Sequence, residues 1–133
     1  MPRNKVLVID PDDETRAAIR NLLHAAGYEV TTVDSAFGAT RALAREEAAS
    51  VVLDMSLPAL PGEKLIEVWC ARDMRGRLTI VGLTDEEPPL FEGPASGTGA
   101  DATLKKDDAL RLLVPTLSAL LYARSRGPSP FEP

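Results

Sequence analysis

Four side chains in this sequence are suited to handling a small anion, and each stands at or just beyond the end of a short apolar run. Asp10 follows Val6-Leu7-Val8-Ile9 and Asp54 follows Ser50-Val51-Val52-Leu53. Thr84 closes a run ending at Leu83, and Lys106 lies just past Ala102-Thr103-Leu104. Together they are an acid, an acid, a hydroxyl and an amine. Carboxylates gathered at one edge repel each other unless a proton or a divalent cation relieves them, and an oxygen-rich site suits magnesium. A carboxylate beside such a cation can attack phosphorus as a covalent nucleophile. The group in transfer spreads charge over its equatorial oxygens, which a metal, an ammonium and a hydroxyl can stabilise together.

Those four residues are brought together only if the apolar runs lie side by side. The first run is apolar on both alternations, as expected of a strand buried on both faces in a parallel sheet. Helical spacing follows, with Ala18, Ile19, Leu22, Leu23 and Ala26 on one face and Arg16, Arg20 and Asn21 off it. Gly27 has the place of a helix-closing glycine. Tyr28 to Val33 reads as a second strand, and Ser35 as the cap of an Ala-rich helix through about Glu47. Ser50 to Leu53 forms the third strand. Beyond a loop with Pro58, Pro61 and Gly62 comes a helix with Leu65, Ile66 and Trp69 inward.

Leu78 to Leu83 is the fourth strand and Ala102 to Leu104 a short fifth. Between them, Asp85 to Thr98 holds three prolines and two glycines, so the helix due there is expected to be short or missing. Asp107 or Asp108 can cap a last helix running to about Arg124. Residues 1–124 then form one domain and 125–133 a flexible tail or linker. Strand and helix alternating five times predict an α/β fold, a doubly wound five-stranded parallel sheet with helices on both faces. Chemistry in such sheets collects beyond the carboxyl ends of the strands, where the four residues fall.

Composition narrows the function classes. The 133 residues are 44% hydrophobic and 26% charged, with a formal net charge of −5. That charge argues against nucleic-acid or anionic-membrane partners. The single cysteine, Cys70, excludes an internal disulfide and any multi-cysteine metal site. No apolar run approaches the roughly 20 residues that cross a bilayer. The start, Met1-Pro2-Arg3-Asn4-Lys5, lacks a signal-peptide pattern, so a cytoplasmic protein is expected. His24, on the polar side of the first helix, is read as solvated, and Trp69 and Cys70 as helix packing.

Taken in order, these stretches resemble the receiver family of two-component systems, from Lys5 to about Leu121. The matching motifs are Val6-Leu7-Val8-Ile9-Asp10 and Val51-Val52-Leu53-Asp54-Met55-Ser56-Leu57-Pro58-Ala59-Leu60-Pro61-Gly62. Leu83-Thr84 and Gly99-Ala100-Asp101 through Lys106 complete the series. The resemblance implies a flavodoxin-like strand order 2-1-3-4-5 and a signalling module, not an enzyme. It implies Asp54 as phosphoacceptor, charged by a histidine kinase or phosphotransfer protein, and Thr84 and Lys106 as phosphoryl-binding groups. Asp10, Asp54 and the Ser56 carbonyl would hold Mg2+, and an output protein of unknown identity would read the result. Lys105 is expected to be a surface charge.

Departures from the family pattern leave a second reading open. Pro11 replaces the usual second acid, so Mg2+ binding is expected to be weak or absent. Asp12 and Asp13 are assigned to the start of the first helix, where their charge favours its dipole, with a reach into the site as the alternative. Asp85 follows the hydroxyl where a small residue is usual, Thr103 stands at the switch aromatic, and Asp107 replaces a proline. These changes suit a pseudo-receiver, a phosphorylation-independent interaction module, with Leu90-Phe91 either a docking plug or folded back. A haloacid-dehalogenase-like phosphatase is a further alternative from Asp10-Pro11-Asp12. That pattern then has Glu14 where a hydroxyl belongs, with Thr15 one place late.

Overall fold

The computed structural model describes residues 4–87 and 99–125. In chain order the elements are β1 (Lys5–Ile9), α1 (Asp13–Ala25), β2 (Glu29–Val33), α2 (Ala36–Glu46), β3 (Ser50–Asp54) and α3 (Gly62–Ala71). They continue with β4 (Thr79–Thr84), β5 (Ala102–Lys105) and α4 (Ala109–Ser125). All strand pairs are parallel and the sheet order is β2-β1-β3-β4-β5. This is the doubly wound, flavodoxin-like arrangement, with the order reversing between β1 and β3.

Alternation along the strands divides the core in two. Leu7, Ile9, Val51, Leu53 and Ile80 face α2 and α3, where Ala39, Leu43, Leu65 and Trp69 complete one layer. Val6, Val8, Val52, Val81 and Leu83 face α1 and α4, packing with Ile19, Leu23, Leu113 and Leu117. The central strands therefore have no polar face, as their sequences require. Trp69 is fully buried in the first layer, and its indole N–H donates to Thr40 Oγ1 at 3.0 Å.

Several boundaries differ from the sequence reading. β4 starts at Thr79 because Leu78 is held in the preceding turn, its N–H donating to Arg75 O at 3.0 Å. It extends to Thr84, which pairs with Lys105 and so lengthens β5 as well. α2 ends at Glu46, with Glu47 left-handed at φ 53°, and Ser35 holds the N-cap position without a side-chain cap bond. Asp107 and Asp108 lie in a 3-10 turn, Lys106–Asp108, that precedes α4. Cys70 is exposed, against the expectation that it serves helix packing. Asp85 to Glu87 carry no helix. The expectation of a short or missing helix, and the proposed roles of Leu90 and Phe91, otherwise fall on residues 88–98, outside the described residues. The proposed tail lies outside them beyond Ser125.

The loop from β3 to α3 shapes the carboxyl edge. Gly62 N–H donates to Met55 O at 3.1 Å, closing the loop that carries Ser56. A Cβ at Gly62 would stand 2.8 Å from Met55 Cα and 2.7 Å from its sulfur. The sulfur can swing away; the backbone carbon cannot. Gly62→Ala is expected to lower stability by about 1–3 kcal/mol, the usual cost of overpacking, and to shift the Ser56 amide resonance. An unchanged melting curve would show that the loop gives way freely.

Candidate functional site

Ends of three different strands build the site. β1 and β3 are hydrogen-bonded neighbours, so the residues following Ile9 and Leu53, which pair with each other, emerge together. Asp10 and Asp54 are consequently adjacent and nearly sealed, at 1% and 2% exposed. Lys106, one residue past β5, reaches back over β4 toward both. Its Nζ lies 3.1 Å from Asp54 Oδ2 and 3.4 Å from Asp10 Oδ2, with the side chain 23% exposed.

The other carboxylate oxygens are held by local backbone. Ser56 N–H donates to Asp54 Oδ1 at 2.9 Å, and Asp12 N–H donates to Asp10 Oδ1 at 2.9 Å. Each is a side-chain turn two residues long, which fixes the carboxylate plane at a strand end. Asp10 Oδ2 is buried and accepts no well-formed hydrogen bond, facing only the shared ammonium. One positive charge thus serves two buried negative ones.

That imbalance shows in the titration of the groups. Burial pushes the Asp10 carboxyl above its usual value, and the Asp54 charge adds to this; the Asp12 amide and Lys106 only partly oppose it. Burial pulls Lys106 downward, but its bond to Asp54 and the charges of Asp54 and Asp10 outweigh that, leaving its pKa raised. Asp12 moves the other way. As the N-cap of α1 its Oδ2 accepts from Thr15 N at 2.8 Å and from Thr15 Oγ1 at 2.6 Å, which holds it below the usual range. Asp12 and Asp13 therefore begin the helix and do not complete the acidic pair.

The structure brings Asp10, Asp54 and Lys106 into contact. Thr84 reaches the same edge at the end of β4, its hydroxyl oxygen accepting from Glu86 N–H at 3.1 Å. Ser56 sits on the exposed loop beyond Asp54. Lys105 points elsewhere, 3.4 Å from Glu87. His24 is exposed.

Sequence reasoning missed Arg16, read only as a residue off the buried face. Its guanidinium donates to Asp10 O at 2.8 Å and pairs with Asp13, tying the first turn of α1 to the end of β1. No local pattern announces a bond from a helix to a carbonyl six residues earlier. Arg75 is a second omission, clasping Gly99 O at 2.8 Å and Asp101 Oδ1 at 3.1 Å where the chain enters β5.

Metal capacity follows from the oxygens present. Among the described residues no group of three or more acidic, histidine or cysteine side chains is placed to hold an ion. Two adjacent carboxylates, one with an unsatisfied buried oxygen, nevertheless fit Mg2+. That ion commonly takes one or two carboxylates and keeps several waters.

Comparison with known proteins agrees with this fold. Residues 6–117 match the response regulator receiver domain. Response regulator MprA of Mycobacterium sp. (strain KMS) is 31% identical over 132 residues, covering 97% of this chain and 55% of that protein. Transcriptional regulatory protein PrrA of Mycobacterium tuberculosis is 28% identical over 120 residues, covering 90% of this chain and 51% of PrrA. The chain spans about half the length of these curated relatives. Among solved structures, the chemotaxis response regulator CheY4 of Vibrio cholerae superposes with a TM-score of 0.78 at 24% identity, over 89% of this chain and 98% of that one. These relatives correct one expectation. The acidic charge argued against any nucleic-acid partner, yet PrrA is named a transcriptional regulator. Net charge bears on what one module's own surface attracts. It does not decide the partners of the proteins in which such modules occur.

Two carboxylates sharing one ammonium give stability a defined pH dependence. Lys106 has a raised folded pKa, so its contribution is complete below the ordinary lysine value and is lost as pH rises through the folded one. Asp10, raised above the ordinary carboxylate value, costs stability as pH rises from that value through its folded one. At neutral pH, Asp54→Asn leaves a one-to-one pair of Asp10 and Lys106, and the melting temperature is expected to hold or rise. Lys106→Met leaves two buried carboxylates uncompensated and should lower it by several degrees, with a smaller loss in acid, where Asp10, whose carboxyl is held above its usual value, gives up its charge. A stabilised Lys106→Met at neutral pH would contradict this charge account.

Proposed function

The chain belongs to the response regulator receiver domain family, signalling modules of two-component systems, and from that premise we propose that Asp54 accepts a phosphoryl group. The observation that carries this is the Lys106 ammonium held on Asp54 and Asp10 at a carboxyl edge of the sheet. A histidine kinase or phosphotransfer protein is the proposed donor. An Asp54 oxygen attacks phosphorus as the bond from phosphorus to the donor imidazole breaks, and the imidazole leaves with the electron pair. The product is an aspartyl phosphate. Lys106 exchanges a carboxylate partner for a phosphoryl oxygen, and the Thr84 hydroxyl donates to another. Asp10 keeps the site anionic, and Arg16 fixes the backbone from which Asp10 projects.

Asp10, Asp54 and the Ser56 carbonyl are the proposed holders of Mg2+, which would neutralise charge on the transferring group. Pro11 supplies no oxygen, and the Asp12 carboxylate is engaged by Thr15. That engagement favours a second reading, a module that binds its partner without phosphorylation. A cytoplasmic location is proposed from the match to the receiver family, and an output in transcriptional control by likeness to PrrA, which is named a transcriptional regulatory protein.

Acetyl phosphate with Mg2+ separates the two readings. Intact mass should show one added phosphoryl group on the wild type and none on Asp54→Asn. An adduct on the variant, or none on the wild type with any donor, would sink the phosphoacceptor assignment. Mg2+ titrated into the free protein should saturate only at many millimolar, by the count of charged oxygens, and Pro11→Asp should tighten it markedly. Sub-millimolar binding by the unaltered protein would overturn this account of Pro11.

A further inference from the structure

The residue that follows Asp54 is held from three sides. Met55 N–H donates to Leu83 O at 2.9 Å, gripping the peptide that leads into Thr84. Its carbonyl accepts from Gly62 N–H at 3.1 Å, at the first residue of α3. Its side chain is partly buried, packed on the core layer that α2 and α3 cover. A Cβ at Gly82 would stand 2.9 Å from both the Met55 Cγ and its sulfur, and one at Gly62 would stand 2.7 Å from the same sulfur. The thioether therefore fills the space that two missing side chains leave open, one on β4 and one on α3.

Gly82 is otherwise out of place. It lies inside β4 between the buried Val81 and Leu83, and its φ is not positive, so no turn calls for it. A glycine in a strand interior gives up packing and marks the close approach of another group. Here that group is Met55, whose unbranched thioether suits an irregular gap better than a stiff β-branched side chain. The contact falls at the reacting edge. Gly82 pairs with Leu53, and Leu83 pairs with Asp54. Asp54 ends β3 and Thr84 ends β4, so their separation is set across these last rungs of the ladder. Moving the thioether shifts the loop after β3 against the end of β4 without touching either functional group.

We propose that Met55 is a positioning residue for phosphoryl transfer: its thioether, seated in the socket between Gly62 and Gly82, sets the reach from the Asp54 carboxylate to the Thr84 hydroxyl. The inference rests on Asp54 being the phosphoacceptor and Thr84 a phosphoryl-binding group. Met55 touches no phosphoryl oxygen and acts only through the residues it spaces. Geometry of this kind carries weight, because a misplacement of 1 Å can cost about a hundredfold in rate.

The test follows phosphorylation by acetyl phosphate with Mg2+, read by intact mass, in the wild type, Met55→Ala, Met55→Leu, Gly82→Ala and the double variant Met55→Ala/Gly82→Ala. Leu121→Ala is the control for a stability loss elsewhere: Leu121 packs on the other core layer, beside Asn4 and Gly27 at the far end of the sheet. Thermal melts first establish that every variant is folded at the assay temperature. Met55→Ala and Gly82→Ala should each accept the phosphoryl group about tenfold more slowly, within the range that misplacement allows, while Leu121→Ala keeps the wild-type rate. Met55→Leu conserves volume and should restore most of the rate. The double variant should be no slower than the slower single one, since without the thioether a Cβ at Gly82 meets Ala100 only at 3.7 Å. The Ser56 and Thr84 amide resonances should shift in Met55→Ala and return toward their places in Met55→Leu. A rate at or above wild type for Met55→Ala, equal slowing in Leu121→Ala, or losses that multiply in the double variant would each overturn the positioning role while leaving Asp54 in its own. A wild type that accepts from no donor would remove the Asp54 assignment, and this proposal with it.

Discussion

One ammonium shared between two buried carboxylates is the interaction on which the rest of this site depends. Asp10 and Asp54 sit at adjacent strand ends and are almost wholly withdrawn from water. Uncompensated burial of a carboxylate costs several kcal/mol, so the pair is tolerable only with Lys106 in place. Lys106 in turn depends on a strand that contributes few residues. β5 spans Ala102–Lys105 and pairs only with β4. Arg75 anchors its entry through Gly99 O and Asp101, and Asp101 Oδ2 also accepts from Ile80 N–H at 2.8 Å. A clasp at the opposite end of the sheet thus helps set where the lysine emerges.

Strand order does the remaining work. The reversal of order between β1 and β3 brings their two acids together without any contact between the segments along the chain. Each strand is buried on both faces, and the helices that cover them leave the carboxyl edge open to side chains and solvent. The apolar residues of β1, β3 and β4 therefore do two things. They hold the sheet by burial, at about 1.5–3 kcal/mol for each fully buried large side chain. They also force their terminal polar residues to one edge, where the neutralising partner must be found.

Much of this was legible in the residues. Unbroken apolar runs announced parallel strands, and the acids ending them announced the edge. Asp10, Asp54 and Lys106 do meet, and Leu65, Ile66 and Trp69 are buried as their spacing required. What escaped was everything that depends on the path of a loop. Arg16 is ordinary by helical spacing, yet it donates to the Asp10 carbonyl just past β1 because the Pro11-Asp12 turn brings α1 back across the strand end. The Ser35 hydroxyl occupies a cap position without making the cap bond, since backbone angles and not residue type decide where the oxygen points. Cys70 was misjudged because it borders a buried face without belonging to it. The partner expectation failed for a different reason: a domain's charge describes its own surface alone.

The departures from the family pattern look less like decay when their charges are followed in space. Pro11 removes one negative charge from the centre, where an oxygen would lie against a cation. Asp85 and Asp107 add two at the rim, beside groups proposed to bind phosphate. At the centre, in low dielectric, a lost carboxylate strongly weakens the hold on a divalent ion. At the exposed rim the added charges act through solvent over a Debye length of about 8 Å and weakly favour or oppose whatever approaches. Relative to the family pattern, negative charge has thus moved from the buried centre to the solvated rim. The lysine-bridged core is common to both arrangements, which is why the fold tolerates the shift: neither Pro11 nor the rim acids touch the Lys106 contacts that compensate the buried pair.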